Sequence, residues 1–166
     1  MGRLPNGPLP NGWFGVAVEN QKTADSRIPA LMKIPAALHW LSVEPQLEAI
    51  EWRKHFFGAG IKAVENTFPP GYDKSRTPKH LQYHGPDSPG WVVMGGESGT
   101  EARPYHADWV RDQLKLFIAY NVPVFIKQFG SNPCGLCSDL GAYKGGEMSE
   151  WPEQFWVRQF PKARVS

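Results

Sequence analysis

Trp91-Val92-Val93-Met94-Gly95-Gly96-Glu97 is a short apolar run that stops on a carboxylate. Bounded by Gly90 on one side and a Gly-Gly pair on the other, it reads as a buried strand followed by a tight turn. Two upstream runs end the same way, Val16-Ala17-Val18-Glu19 and Leu41-Ser42-Val43-Glu44, and a downstream run, Val124-Phe125-Ile126-Lys127-Gln128, ends in an ammonium. Near-continuous apolar strands belong to parallel sheets, and α/β folds gather ligands where such strands end. Four charged strand ends therefore point to one shared rim.

Working outward, Trp13 to Val18 reads as the first strand. Thr23 offers an N-cap before Asp25 and the apolar positions Ile28, Leu31 and Met32, and Pro29 is expected to kink the resulting helix. Leu38 to Val43 makes the second strand, and Pro45 biases Glu44 toward extended geometry. A short amphipathic helix is expected from Leu47 to Phe57. From about 66 to 90 the chain carries five prolines, from Pro69 to Pro89, with Lys74, Arg76, Lys79, His80 and His84. This reads as a long surface insertion. Val110, Leu114, Phe117 and Ile118 follow the helical period, which predicts a helix over Ala107 to Tyr120 with Asp108 near its positive end. Pro123 to Phe129 is the fourth strand. Beyond Gly130 lies an irregular tail whose Trp151, Phe155 and Trp156 are expected to fold back onto the core.

Strands alternating with helices imply parallel pairing and right-handed crossovers. The expected architecture is α/β, a half or partial (β/α) barrel of about four parallel strands, in a single domain spanning 1–166. The length of 166 residues, with 41% hydrophobic and 13% aromatic content, is compatible with a sizeable core and argues against disorder. Eighteen basic against 16 acidic residues give a formal charge of +2, which supplies no electrostatic argument for nucleic acid. No apolar stretch approaches the roughly 20 residues that cross a bilayer. The N-terminus lacks the order of a signal peptide, so a cytoplasmic protein without a membrane partner is expected.

The candidate ligand-binding residues are Glu19, Asn20, Glu44, Glu97, Ser98, Arg103, His106, Lys127 and Gln128. Carboxylates accept from ammonium and hydroxyl donors, while Arg103 and Lys127 can pair with a carboxylate or phosphate. An equally good reading has these charges pair with one another, Lys127 with a neighbouring glutamate, and satisfy the rim internally. Cys134 and Cys137 form a lone CxxC in a Pro/Gly-punctuated loop. They could supply half of a zinc site, act as a redox dithiol, or be two loop thiols. His39 reads as a hydrogen-bonded strand residue, and Trp13, Trp40 and Trp91 as packing at the strand starts.

Five blocks carry a resemblance: NGWFGVAVENQKTADSRIPALMKIPA (11–36), LSVEP (41–45), WVVMGGESGTEARPYHADWVRDQ (91–113), VPVFIKQFGSN (122–132) and KGGEMSEWPEQFWVRQFP (144–161). In this order they resemble the C-terminal part of a phage-associated, uncharacterised family with a three-cysteine motif. The resemblance implies a barrel similar to that of radical S-adenosylmethionine enzymes, whose three thiolates hold a [4Fe–4S] cluster on the first strand. That cysteine-bearing segment has no counterpart in these residues, so the chain looks like a truncated product or a split gene. Gly95-Gly96-Glu97 looks like the element that holds the methionine ammonium of S-adenosylmethionine, on a later strand than usual.

Three functions follow as expectations. The first is the C-terminal half of a radical S-adenosylmethionine-like barrel, not catalytic alone. The second is a small-molecule or nucleic-acid binding module that uses the strand-end rim, and the third is an inactive remnant of a mobile-element gene. A half barrel leaves apolar surface and strand edges uncovered. The expected partners are accordingly a second copy of the chain or a separate chain supplying the other barrel half.

Overall fold

The structure, a computed structural model, describes residues 9–56, 88–136 and 144–161. Strand β1 (Leu9–Ala17) leads into helix α1 (Gln21–Leu31), β2 (Ala36–Val43) and the short helix α2 (Arg53–Phe56). Strand β3 (Trp91–Gly95), the two-residue β4 (Tyr105–His106), helix α3 (Ala107–Ala119), β5 (Val124–Gln128) and the two-residue β6 (Pro133–Cys134) follow. Two 3₁₀ turns, Met148–Glu150 and Glu153–Phe155, shape the tail.

β1, β2, β3 and β5 form one sheet in that order, all parallel. Sequential order with every pair parallel is the winding of a (β/α) barrel sector, and among the described residues the sheet does not close. Alternate residues bury against the helices: Leu41 and Val43, Val92 and Met94, Val124 and Ile126. They join Ala24, Ile28 and Leu31 of α1 and Val110, Leu114 and Phe117 of α3 in one core cluster. Those helical positions repeat at three- and four-residue spacing, which is why one face of each helix meets the sheet.

The opposite face of the sheet carries aromatics that remain partly exposed. Trp91 lies 6.1 Å from Trp13, 5.7 Å from Trp40 and 5.6 Å from Phe160, ring centre to ring centre. Gly15 makes room for this layer, because a Cβ there would fall 2.3 Å from the Trp40 indole. The three tryptophans pack together as expected, but only Trp91 stands at a strand start; Trp13 and Trp40 lie mid-strand, because β1 and β2 begin earlier than the sequence reading placed them.

The tail closes one sheet edge. Phe125 and Arg158 form an antiparallel bridge, with Ile126 N–H donating to Val157 O at 2.9 Å and Gln159 N–H to Val124 O at 2.8 Å. Trp151 and Phe155 are buried against Phe129 as expected, whereas Trp156 stays half-exposed.

Several boundaries differ from the sequence reading. Asn20, not Thr23, caps α1: its side chain accepts from Thr23 N–H while the Thr23 hydroxyl accepts from Asn20 N–H, a reciprocal box that starts the helix earlier. Pro29 sits inside α1, two residues before the helix's last residue, so the helix nearly ends where proline removes a bond. Of the helix expected over Leu47 to Phe57, the described residues form only Arg53–Phe56. The 45–52 segment instead crosses the sheet top, with Gln46 N–H donating to Gly95 O and Leu47 N–H to Glu19 O. Gly95 and Gly96 make no tight turn; Gly95 ends β3, and Gly96 N–H extends the pairing to Gln128 O. Most of the insertion expected over 66–90 lies outside the described residues. His39 hydrogen-bonds Ile34 O through Nε2 at 2.7 Å, as a strand residue rather than a ligand.

Candidate functional site at the strand ends

Glu44, just past the end of β2, and Lys127, on β5, belong to strands separated by β3, roughly 10 Å apart at about 4.8 Å per strand spacing. They meet over Gly95, where a Cβ would lie 3.4 Å from the Glu44 carboxyl carbon, an ordinary contact, and a tighter 3.1 Å from Gln128 O. Lys127 Nζ reaches Glu44 at 3.0 Å, with the Glu44 side chain 16% and the Lys127 side chain 56% exposed. Beside them Gln128 Nε2 donates to Ser98 Oγ at 2.8 Å and to Gly96 O at 3.1 Å. Glu44, Ser98, Lys127 and Gln128 thus gather around the end of β3.

Glu97 is held more tightly. Arg103 gives it a two-pronged guanidinium contact at 2.7 Å on each oxygen and a backbone N–H at 2.9 Å. These bonds hold the Glu97 carboxyl at about 2, well below the usual range, and raise Arg103 in return. The pair closes the loop after β3, which Gly130 approaches so closely that a Cβ there would fall 2.4 Å from Glu97 O.

Glu19 forms a third pair at the β1 end, with Arg27 of α1 at 3.1 Å; the same guanidinium donates to Ala17 O at 2.7 Å. Sequence reasoning missed Arg27, whose signal is its place two turns into the helix that follows Glu19. Asn20 is engaged in the α1 cap. His106 lies at the start of α3, its ring tilted 46° to that of Trp109 with centres 4.6 Å apart, and among the described residues no contact ties it to the other rim residues.

Among the described residues, each rim glutamate therefore has one cation: Arg27, Lys127 or Arg103. The internal-pairing reading describes these contacts. A carboxylate offers about four acceptor positions, and Arg103 fills three at Glu97, whereas one ammonium uses fewer at Glu44. Glu44 and Glu19, each contacted by a single cationic nitrogen, consequently keep more acceptor capacity than Glu97.

Cys134, on β6, lies in register with His106 on β4. Cys137 lies outside the described residues, and among the described residues no group of three or more His, Cys, Asp and Glu is placed to hold a metal ion.

The family model for the protein of unknown function (DUF5131) matches residues 2–156. The chain belongs to this family. The DUF5131 match takes in every rim residue, from Glu19 to Gln128, and both cysteines. No curated protein and no solved structure matches the chain. Among the described residues, no helix is long and apolar enough to cross a membrane.

A three-thiolate [4Fe–4S] cluster does not fit the donor set of this DUF5131 chain, whose sequence contains two cysteines.

Proposed function

We propose that the rim at Glu44, Lys127, Gln128 and Ser98 binds a small molecule carrying both an ammonium and a carboxylate, with S-adenosylmethionine the leading candidate. In this reading the chain is the C-terminal half of a radical S-adenosylmethionine-like barrel of a phage-type protein and does not catalyse alone. The observation that carries it is the Glu44–Lys127 pair across the side-chain-free Gly95. A zwitterion can replace that pair group for group: its ammonium takes the Lys127 position on Glu44, and its carboxylate takes the Glu44 position on Lys127. The sequential parallel winding supports the barrel assignment. Glu97, occupied by Arg103, shapes the loop beside the ligand instead of receiving its ammonium.

Calorimetric titration of the purified chain with S-adenosylmethionine, without iron, tests this reading. Binding is expected, with Glu44→Gln and Lys127→Met each weakening it at least about tenfold, or about 1.4 kcal/mol. Glu97→Gln is expected to weaken it less. No binding by the chain in any assembly state, or binding indifferent to both rim substitutions, sinks the proposal.

The uncovered aromatic face favours a companion reading about partners. The remaining wall of the barrel comes from other polypeptide, whether a second copy or a separate chain that carries the cysteines. A parallel sheet is ordinarily covered on both faces.

A further inference from the structure

The segment that follows Glu44 crosses the strand ends and is stitched to α1 by side chains. Gln21 N–H donates to Glu48 Oε1 at 2.6 Å, and Glu51 N–H donates to Gln21 Oε1 at 2.7 Å. Its far end, α2, is held at one carboxylate. Asp25 Oδ1 lies 2.7 Å from Gln21 Nε2, 2.6 Å from Lys54 Nζ and 3.1 Å from His55 Nε2. Packing holds the same end against α3, where the Phe117 ring lies 5.1 Å from that of Phe56 and 5.5 Å from that of Trp52.

His55 differs from its partners in burial. Its side chain is 5% exposed, whereas those of Asp25 and Lys54 are 46% and 49% exposed. Histidine titrates near neutrality, so burying one makes the contact depend on pH. A carboxylate only accepts, so Nε2 carries the proton of the neutral His55 ring and donates to Asp25. A second proton would put a full charge on a buried ring, which is costly unless the charge is well paired. Asp25 is already paired: the Lys54 ammonium sits on the same oxygen at the shorter distance. The other charged group acting on the ring is Glu51, whose Oε1 accepts from Arg53 N–H at 3.0 Å. α3 meets this end through Phe117, which carries no charge. Burial therefore outweighs the attraction of Asp25 and holds His55 below its ordinary 6.5. Hydrogen bonds from Lys54 and Gln21 hold Asp25 below its ordinary 3.8, so it stays ionised where His55 titrates.

We infer that His55 and Asp25 form a proton-controlled latch: neutral His55 locks the segment from 45 to 56 against α1, and protonation of His55 releases it. The folded value of His55 is depressed, so the contribution of the neutral ring is fully present above pH 6.5 and is lost as pH falls through that lower value. Release starts at α2 and runs back toward Glu44. It does not depend on which ligand the rim takes.

Hydrogen exchange of the full chain, read at single amides by NMR and corrected for the intrinsic rate at each pH, tests the latch. Between about pH 7.5 and about pH 5, protection of the Glu51, His55 and Phe56 amides is expected to fall at least about threefold. Protection of Val92 and Ile126 in the sheet is expected to hold. His55→Gln keeps an N–H donor toward Asp25 and cannot titrate, so the fall should vanish in that variant. The wild-type His55 ring, followed by the shifts of its carbon-bound protons, supplies a reading that needs no variant and should titrate below 6.5. A midpoint at or above 6.5, unchanged protection in the wild type, an equal fall in the sheet amides, or a fall that persists in His55→Gln overturns the proposal.

Discussion

At the scale of single residues the rim is built by what is absent from β3 as much as by what is charged beside it. Gly95 lies beneath the Glu44–Lys127 pair, and Gly96 lets Phe129 and Tyr105 close over the backbone: a Cβ there would lie 2.3 Å from Phe129 O. Glu97 has the clearest titration consequence. Its folded value of about 2 lies below the ordinary 4.5, so its contribution to stability is fully present above pH 4.5 and is lost as pH falls through about 2. Thermal unfolding midpoints measured from pH 5 to pH 2 should therefore fall more steeply for the wild type than for Glu97→Gln. The difference should shrink in high salt, because the pair is exposed. Parallel curves for the two proteins would show that the Arg103 clamp does not persist in solution. The charged strand ends were visible in the sequence because each follows an apolar run. Their pairing was legible only as one of two readings, since nothing in the local pattern says that Lys127 reaches over Gly95 to Glu44 or that Arg27 turns back to Glu19.

At the scale of elements, the strands and α3 follow from patterns that the chain states openly. β-branched and aromatic runs stop at Gly, Pro or a charge, and Val110, Leu114 and Phe117 mark a helical stripe. The helix starts and the sheet top were less legible because side chains compete there with tertiary contacts. Thr23 looks like a cap from composition, but Asn20 reaches the free N–H first and Thr23 serves as the reciprocal acceptor. The 45–52 segment has helical composition, yet its amides bond to Gly95 and Glu19, so most of the expected helix does not form there. β4 and β6 are two residues each, too short for any periodicity to announce. The α1 cap carries a direct expectation. Asn20→Ala removes the acceptor of Thr23 N–H and should destabilise the chain by about 1 kcal/mol in urea unfolding, while Asn20→Asp should retain most of that stability. Equal losses for both substitutions would mean that a side-chain acceptor at position 20 does not set the start of α1.

At the scale of the whole molecule, the two edges and two faces of the sheet are treated unequally. The tail closes the β5 edge through backbone bonds to Val124 and Ile126, while β1 has only β2 beside it among the described residues. The helices cover one face. The other presents the Trp13, Trp40 and Trp91 layer, with Trp13 50% and Phe160 64% exposed. An open strand edge beside exposed aromatics is a template for pairing with another chain. In a purified sample the only polypeptide available is a second copy, and pairing two β1 edges about a twofold axis satisfies both edges with one self-complementary contact. Light scattering across a concentration series should therefore show a particle of twice 18.6 kDa forming as concentration rises. Trp13→Lys puts a charge into the exposed layer and should weaken that association at least about tenfold, equivalent to about 1.4 kcal/mol. The same substitution should leave far-ultraviolet circular dichroism unchanged, because Trp13 lies on the uncovered face and not in the core cluster. A monomer at every concentration that still binds a hydrophobic dye would assign the face to a different polypeptide. A monomer that binds no dye would mean that the layer is covered from within the chain and that no partner is needed.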